Sequence, residues 1–385
     1  MLPKLSVCIL AKDAEAEIGA AIRSVNDLPT DIEIIVADDT HSTDDTSKIA
    51  ASLGARVITV LWQNDFAAAR NLMLDAARGE WIFWLDTDEA LHPESEAELL
   101  SCIETTDALA FTVLRQDLID ADRVELFTLT TALKLLRRRP EIRYAGRIHE
   151  RPDPSVYQLA CALGMRVVES SIAVQHWGYI ASHQVEKHRR NVALLELELS
   201  ERPGQLYQQI EFGRTLLLLG DERGHAVLLK AAETLRNHLH EPAPPTPLAA
   251  LLLEYLLQKP GVAGISSADA EAATMRWFPS SPPLLWFIAR RQFADGDFEA
   301  AAALLDRLVY LGETGAYDAT GSFDPHILGG DARLNLAVTY LRLGRLDDAE
   351  KLLIPLTTQP RSAAAAVSNL KVVASLRNRF SLPQG

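Results

Sequence analysis

The sequence predicts an α/β domain with a Rossmann-like, mostly parallel sheet, followed by an all-α domain of packed helices, and three observations carry that prediction. Short apolar runs and amphipathic helical stretches alternate between Leu5 and Leu85, the pattern of right-handed βαβ crossovers feeding a parallel sheet. Two of the predicted strands end in acids, Asp38-Asp39 and Asp86-Thr87-Asp88, which places both pairs at one rim. From Leu206 onward strand signals fade, and helical periodicity with alanine at packing positions takes over. A chain of 385 residues is too long for one ordinary hydrophobic core, so two domains are expected. The expected bounds are an α/β domain over 1–180, a linker helix over 181–205 and a helical domain over 206–385.

Taken in order, Leu5 to Leu10 reads as a buried strand, Ala11-Lys12-Asp13 as a turn, and the next stretch as a helix with Ile18, Ala21, Ile22 and Val25 on its apolar face. Pro29 stops that helix, because proline blocks its continuation. Ile32 to Ala37 is the second strand, and the Ser, Thr and Asp residues from Thr40 to Thr46 offer N-caps for a second helix. Val57 to Leu61 is a third strand and Phe66 to Ala77 a third helix, with Gly79 expected as its C-cap. The run Trp81-Ile82-Phe83-Trp84-Leu85 is apolar throughout, which suits a strand buried on both faces. Ala108 to Leu114, Ala132 to Leu136 and Ile172 to His176 read as further strands, the second ending in Arg137-Arg138-Arg139-Pro140.

At the carboxyl end of a sheet strand, Asp86 and Asp88 project into the crevice where open α/β sheets bind ligands. Hard divalent cations take oxygen ligands and commonly complete their shells with substrate phosphates, so an Asp-x-Asp pair here suggests a metal diphosphate site; a solvated turn is the plainer reading of the same residues. A net charge of −14 argues against general affinity for nucleic acid or an anionic membrane, so any phosphate must be met locally. Cys8, Cys102 and Cys161 lie far apart with no metal-finger spacing, which fits a reduced cytoplasm. The Leu5 to Ala11 run is too short for a signal peptide and no apolar run reaches the length of a membrane span, so a cytoplasmic protein is expected.

Four segments in order resemble the family-2 glycosyltransferases of the GT-A fold: Leu-Ser-Val-Cys-Ile-Leu-Ala-Lys-Asp, Ile-Val-Ala-Asp-Asp-Thr-His-Ser-Thr-Asp-Asp-Thr, Asn64 through Asn71, and Gly79-Glu80-Trp81 through Glu89. Within that family the chain is most similar to bacterial members that carry tetratricopeptide repeats, including S-glycosyltransferases of bacteriocin peptides. The resemblance covers roughly the first half of the chain, and several motifs in one order are more specific than any alone. It implies that Asp39 contacts the nucleotide base, and that Asp86 and Asp88, the DxD motif, hold a metal and the diphosphate sugar. Arg70 is implied near the nucleotide or the carboxylates; a surface salt bridge fits it equally. Lys12 and Asp13 depart from the aromatic-asparagine pair of many relatives, although Lys12 suits the repeat-bearing subgroup.

Tyr144 through Glu150 matches a Gly-x-Ile/Val-His-Glu segment of related transferases, which makes Glu150 the candidate base and His149 a supporting residue. Without the family, Glu150 is a surface residue ahead of the loop Arg151-Pro152-Asp153-Pro154. His176, in the pattern His-x-Gly-Tyr, is implied to join the metal. A lone histidine at a strand end is otherwise structural, and imidazole favours Mn²⁺ over Mg²⁺. Lys187, Arg189 and Arg190 follow on a helix running to about Ser200, where one of them is expected to reach the diphosphate.

Asn335 through Glu350 fits a tetratricopeptide repeat, with Ala337 for close helix contact, Gly344 at the turn, Ala349 opening the second helix and Pro360 ending it. Ile288 through Ala300 repeats the pattern, Tyr207 to Ala226 is a weaker copy, and Tyr317 to Gly330 is an insertion. Glu241 through Pro247, with four prolines, must be a loop. Stacked repeats suit an extended peptide or protein partner, and equally a buttress or homodimer contact. The expected function is a metal-dependent, inverting glycosyltransferase using Mn²⁺ (or Mg²⁺) and a nucleotide-sugar donor, UDP-linked, on a peptide, protein or glycan acceptor. The rival is a non-catalytic repeat scaffold or nucleotide-sugar-binding protein with a degenerate transferase domain.

Overall fold

A computed structural model describes residues 2–120, 123–178 and 184–381 of the chain. It divides into two compact units, Met1–Val227 and Leu228–Gly385.

The first unit is built on an eight-stranded sheet of order β3-β2-β1-β4-β7-β6-β8-β5. β1 (Leu5–Ala11) lies between β2 (Ile32–Asp39) and β4 (Trp81–Asp86), parallel to both, and β3 (Arg56–Val60) extends the parallel run beyond β2. Every β1 side chain except Leu10 is buried. Alternation sends Leu5, Val7 and Ile9 to a layer with Phe83, Leu85 and the apolar face of α1 (Ile18–Asn26). Cys8 points the other way, into a layer with Ile82, Trp84 and Met73 of α3 (Phe66–Ala76). Coverage on both faces is why these strands read as near-continuous apolar runs. Register pairs Ala11 with Asp38 and Leu10 with Asp86, so β1, β2 and β4 end at one rim.

The other side of the sheet departs from the sequence expectation. β6 (Ala108–Leu118) and β7 (Phe127–Arg137) form an antiparallel hairpin longer than expected, because its outer halves carry polar residues such as Arg115, Asp117 and Thr128 that masked the strand signal. β7 joins β4 antiparallel, while β8 (Arg166–His176) runs parallel to β6. The three-residue β5 (Glu89–Leu91), absent from the sequence reading, pairs antiparallel with β8. The sheet is therefore mixed, with a parallel half carrying the acids. The expected loop at Pro152-Asp153-Pro154 instead opens α5 (Asp153–Leu163), since proline suits a first helical turn.

One helical boundary also moves. α3 ends at Ala76, and Gly79 is not its C-cap. A Cβ there would strike the backbone and hydroxyl of Ser6, so Gly79 permits the close approach of two chain segments. α2 (Thr46–Ser52) and α4 (Glu96–Glu104) complete the α/β layers. α6 (Gln184–Glu201) and α7 (Leu206–Leu218) belong to the first unit, where Leu194, Leu195 and Phe212 cluster with Ile148, Trp62 and Phe66.

α8 (Arg223–Arg236) spans the division between the units. The second unit continues with α9 (Ala249–Gln258), α10 (Ser267–Trp277), α11 (Pro282–Ala294), α12 (Phe298–Thr314), α13 (Gly330–Arg342), α14 (Leu346–Leu356) and α15 (Ala363–Ser381). The proline-rich 241–247 stretch is non-helical, as expected. α11 packs on α12 and α13 on α14. Gly296 and Gly344 take left-handed φ of 85° and 74° at the two turns, which explains the matched glycines of the two sequence copies. α14 ends at Leu356, ahead of Pro360. Ala337, Ala349, Leu353, Leu356, Ala366 and Val373 form an apolar cluster joining α13, α14 and α15. Among the described residues, no helix is long and apolar enough to cross a membrane.

Candidate active site

The rim is assembled from strand ends whose acids are individually restrained. Asp39 is buried at the end of β2, and its Oδ1 accepts from the His41 amide at 3.1 Å and contacts His41 Nδ1 at 3.0 Å. Its Oδ2 lies 3.5 Å from Lys12 Nζ and has no hydrogen-bond partner among the described residues. Burial opposes the charge on Asp39, but His41 and Lys12 outweigh it and hold the carboxyl below its usual range. Asp13, with φ of 45°, accepts from the Thr43 amide at 2.7 Å and so ties the β1 and β2 loops together.

Arg70 of α3 is the hub. Its Nε donates to Glu150 Oε1 at 2.5 Å and its Nη2 to Asp86 Oδ1 at 3.3 Å. The guanidinium lies 4.7 Å from the Trp84 ring centre and 5.5 Å from that of Tyr144. With a side chain only 14% exposed, Arg70 is not the surface salt bridge that the sequence allowed. Burial works against its charge, while Glu150 and Asp86 more than compensate and push its pKa up. Sequence reasoning did not find Lys134. From β7 it reaches Glu89 Oε2 at 2.5 Å and Asp86 Oδ2 at 3.9 Å. Glu89, fully buried, also accepts from the Asp86 amide at 2.9 Å. Lysine within the apolar run Ala132 to Leu136 was the available signal. Burial alone would raise the Asp86 pKa, but Lys134 and Arg70 lead a group of cations that depress it.

A second cluster forms because β5 pairs with β8 and β8 with β6, which sets Glu89 opposite His176 and His176 opposite Asp117. His176 Nε2 stands 3.3 Å from Asp88 Oδ2, and Nδ1 stands 2.6 Å from Asp117 Oδ1. Arg115 braces Asp117 at 2.8 Å. Burial lowers the His176 pKa, but its bonds to Asp117 and Asp88 override this and push it up to about 9. Asp88 is held low in turn by His176, against its own burial. A Cβ at Gly178 would overlap both Asp88 Oδ2 and His176 Nε2, so only glycine can lie against this pair, in which the His176 side chain is buried and that of Asp88 is 25% exposed. Tyr179 of the His-x-Gly-Tyr pattern lies outside the described residues.

The Gly146–Arg151 loop delivers Glu150. Gly146 and His149 take φ of 100° and 50°, and Ala145 and Arg151 exchange backbone hydrogen bonds of 3.1 and 3.0 Å. The sequence did not reveal how helices hold this loop. Buried Glu198 of α6 accepts from the Arg147 amide at 2.9 Å, and Gln208 of α7 donates to the Ile148 carbonyl at 3.2 Å. His149 Nε2 stands 3.7 Å from Glu211 of α7, whereas Glu150 is oriented by Arg70. Arg190 lies over the Phe66 ring at 5.3 Å. Among the described residues, no three His, Cys, Asp or Glu side chains form a ready-made metal cage.

The carboxylates gather where parallel strands end, the place at which open α/β sheets bind ligands. Residues 6–167 match the family model described as glycosyl transferase family 2. The chain is 32% identical over 246 residues to a TPR repeat-containing protein of Synechococcus elongatus, covering 63% of this chain and 59% of that one. It is 26% identical over 240 residues to the SPbeta prophage-derived glycosyltransferase SunS of Bacillus subtilis, covering 61% and 54%. The chain thus spans between half and three-fifths of these relatives' lengths. Among solved structures, S. aureus TarS 1-349 in complex with UDP-GlcNAc aligns over 76% of this chain and 92% of that one, at 13% identity and a TM-score of 0.41. A likeness that loose carries no functional weight.

Proposed function

We propose that the chain is a glycosyltransferase that moves a sugar from a nucleotide-diphosphate donor, UDP-linked, to a peptide, protein or glycan acceptor, with a divalent cation and inversion at the anomeric carbon. The observation that supports this reading best is the bridge from Asp86 through Arg70 to Glu150, in the stretch that matches family 2. Asp39 and Lys12 are assigned to the nucleotide, and Asp86 and Arg70 to the diphosphate sugar.

The Asp88 and His176 pair would offer one carboxylate and one imidazole, a donor set that suits a borderline cation. Asp117 on the far nitrogen of His176 is the usual partner of a metal-bound imidazole. Asp86 is assigned as the third ligand, shared with Arg70 and Lys134. Asp86, Asp88 and His176 would hold Mn²⁺ or Mg²⁺, which would supply positive charge against the diphosphate. Glu150 takes the acceptor proton as the acceptor atom bonds to the anomeric carbon. The bond from that carbon to the diphosphate oxygen breaks, and the nucleoside diphosphate leaves. We assign 1–180 to the GT-A module, 181–205 to a linker helix that braces it, and the helices from 206 to tetratricopeptide-like repeats that hold the acceptor.

The test is nucleotide release with Mn²⁺ and a panel of UDP-sugars, coupled to a search for mass increments on host peptides and glycans. Asp88→Ala is expected to lower turnover by about 10²-fold or more. Glu150→Gln is expected to lose transfer while keeping the donor-dependent rise in melting temperature. Normal turnover by Asp88→Ala overturns the metal assignment. The absence of any donor-dependent melting shift in the unmodified protein favours the scaffold.

A further inference from the structure

The arginine run that closes β7 takes no part in the rim chemistry. It lines an open cavity of about 540 Å³ with Leu2, Pro3, Lys4, Asp31, Arg78 and Glu80. This cavity lies at the amino-terminal end of β4, whereas Asp86 closes the carboxyl end. The six residues of β4 separate the two by roughly 20 Å at about 3.3 Å per residue.

The cavity walls are stitched together. The Pro3 carbonyl accepts from the Glu80 amide at 3.1 Å, and the Glu80 carbonyl from the Arg138 amide at 2.8 Å. Arg138 Nε donates to the Gly79 carbonyl at 2.9 Å, and the Asp31 carbonyl accepts from the Lys4 amide at 2.8 Å. The absence of a Gly79 side chain lets the Arg78–Glu80 segment lie against the start of β1. Five cations therefore face two carboxylates in one cavity, in a chain whose net charge is −14. Glu80 is consumed by Lys4 at 3.1 Å and Arg137 at 2.6 Å. Arg78 and Arg139 have no ion-pair partner among the described residues, and Arg138 spends only its Nε, on a carbonyl.

Guanidinium groups bind oxyanions through paired N–H donors, and three of them approaching from two segments call for a centre with several acceptor oxygens. Leu2, 69% exposed, and Pro3 add an apolar shelf beside the cations. The volume falls in the range of small-molecule sites. Asp31, Glu80 and the nearby Glu104, 3.4 Å from Lys4, interrupt the positive surface and disfavour an extended polyanion. We propose that this cavity binds a small phosphate-bearing organic anion, its phosphate on Arg78, Arg138 and Arg139 and its apolar part on Leu2 and Pro3.

The test is calorimetric titration of the full chain in EDTA and low salt, with inorganic pyrophosphate as probe and citrate and a single-stranded oligonucleotide as comparators. Pyrophosphate is expected to bind, and the double variant R78A/R139A to weaken it by about tenfold or more. The variant is expected to keep the wild-type melting temperature and UDP-sugar turnover, since both residues are exposed and distant from the rim. Equal pyrophosphate affinity in the variant overturns the site. Citrate binding as tightly as pyrophosphate overturns the phosphate assignment. Tighter binding of the oligonucleotide, lost in the variant, replaces the small ligand with a nucleic acid.

Discussion

The two units treat charge in opposite ways. Among the described residues, the buried carboxylate, lysine and histidine side chains Asp38, Asp39, Glu89, Asp117, Lys134, His176 and Glu198 all belong to the first unit. The buried polar groups of the second unit are the hydroxyls Thr246, Thr274, Ser281, Thr339 and Ser362. Burying an ion costs several kcal/mol before its partner is counted, so a fold that needed only stability would follow the second unit. The first unit accepts that cost at the ends of its strands, where Arg70 and Lys134 draw carboxylates together and His176 links two more. The contrast places the buried charge in the first unit and plain apolar packing in the helices of the second.

The sharpest way to break this contrast is to strand one of the buried ions. Lys134→Met leaves Glu89, fully buried, without its 2.5 Å partner. The expected loss is about 3–5 kcal/mol in urea unfolding, because an uncompensated buried charge remains. The double variant K134M/E89Q is expected to recover part of it. If Lys134→Met unfolds at the wild-type urea concentration, the rim does not depend on paired charge.

An apolar truncation in the second unit probes the other side. Leu353 is fully buried in the cluster of α13, α14 and α15. Leu353→Ala is expected to cost about 2–4 kcal/mol through lost burial and a residual cavity. Donor-dependent thermal stabilisation of the folded protein is expected to persist. Loss of donor binding in that variant would mean that the helices do more than pack.

How much of this was legible in the sequence follows the same division. Apolar runs gave β1, β2 and β4, the last two ending in acids, because strands buried on both faces leave an uninterrupted signal. β5 escaped because three residues carry no period, and the outer halves of β6 and β7 because alternating polar residues on a half-exposed hairpin read as loop. Asp39, Arg70, Asp86, Asp88, His149, Glu150 and His176 were singled out from the chain, and the structure sets Arg70 between Asp86 and Glu150 and His176 beside Asp88. Their partners Lys134, Glu89, Asp117 and Glu198 were missed, since each depends on strand register or helix docking that no local pattern encodes. In the helices, Gly296 and Gly344 were legible because a left-handed turn residue leaves a local mark.

Acid offers a subtler comparison. Asp324, in the second unit, is held below its usual range, as hydrogen bonds from His326 and the charge of Arg361 outweigh its burial. A carboxyl depressed in the folded state contributes stability above its unfolded pKa of about 3.9 and loses it as pH falls through the folded value. Asp324→Asn is therefore expected to lower the melting temperature near neutrality, with the gap to wild type closing below about pH 4. A gap that is constant with pH would show that the carboxylate charge contributes nothing.

The smallest effect is expected where the second unit displays its ions in water. Arg333 meets Glu313 at 2.8 Å, with side chains 28% and 58% exposed. Holding two long side chains in one geometry offsets most of the screened attraction, so Arg333→Ala is expected to cost about 0–1 kcal/mol, less still in high salt. The N–O separation matches the 2.8 Å of Arg115 on Asp117 at the rim, where the carboxylate is 3% exposed. Equal distances with unequal consequences would establish that burial, and not contact geometry, separates the two units. A loss at Arg333 as large as that at Lys134 would remove the distinction.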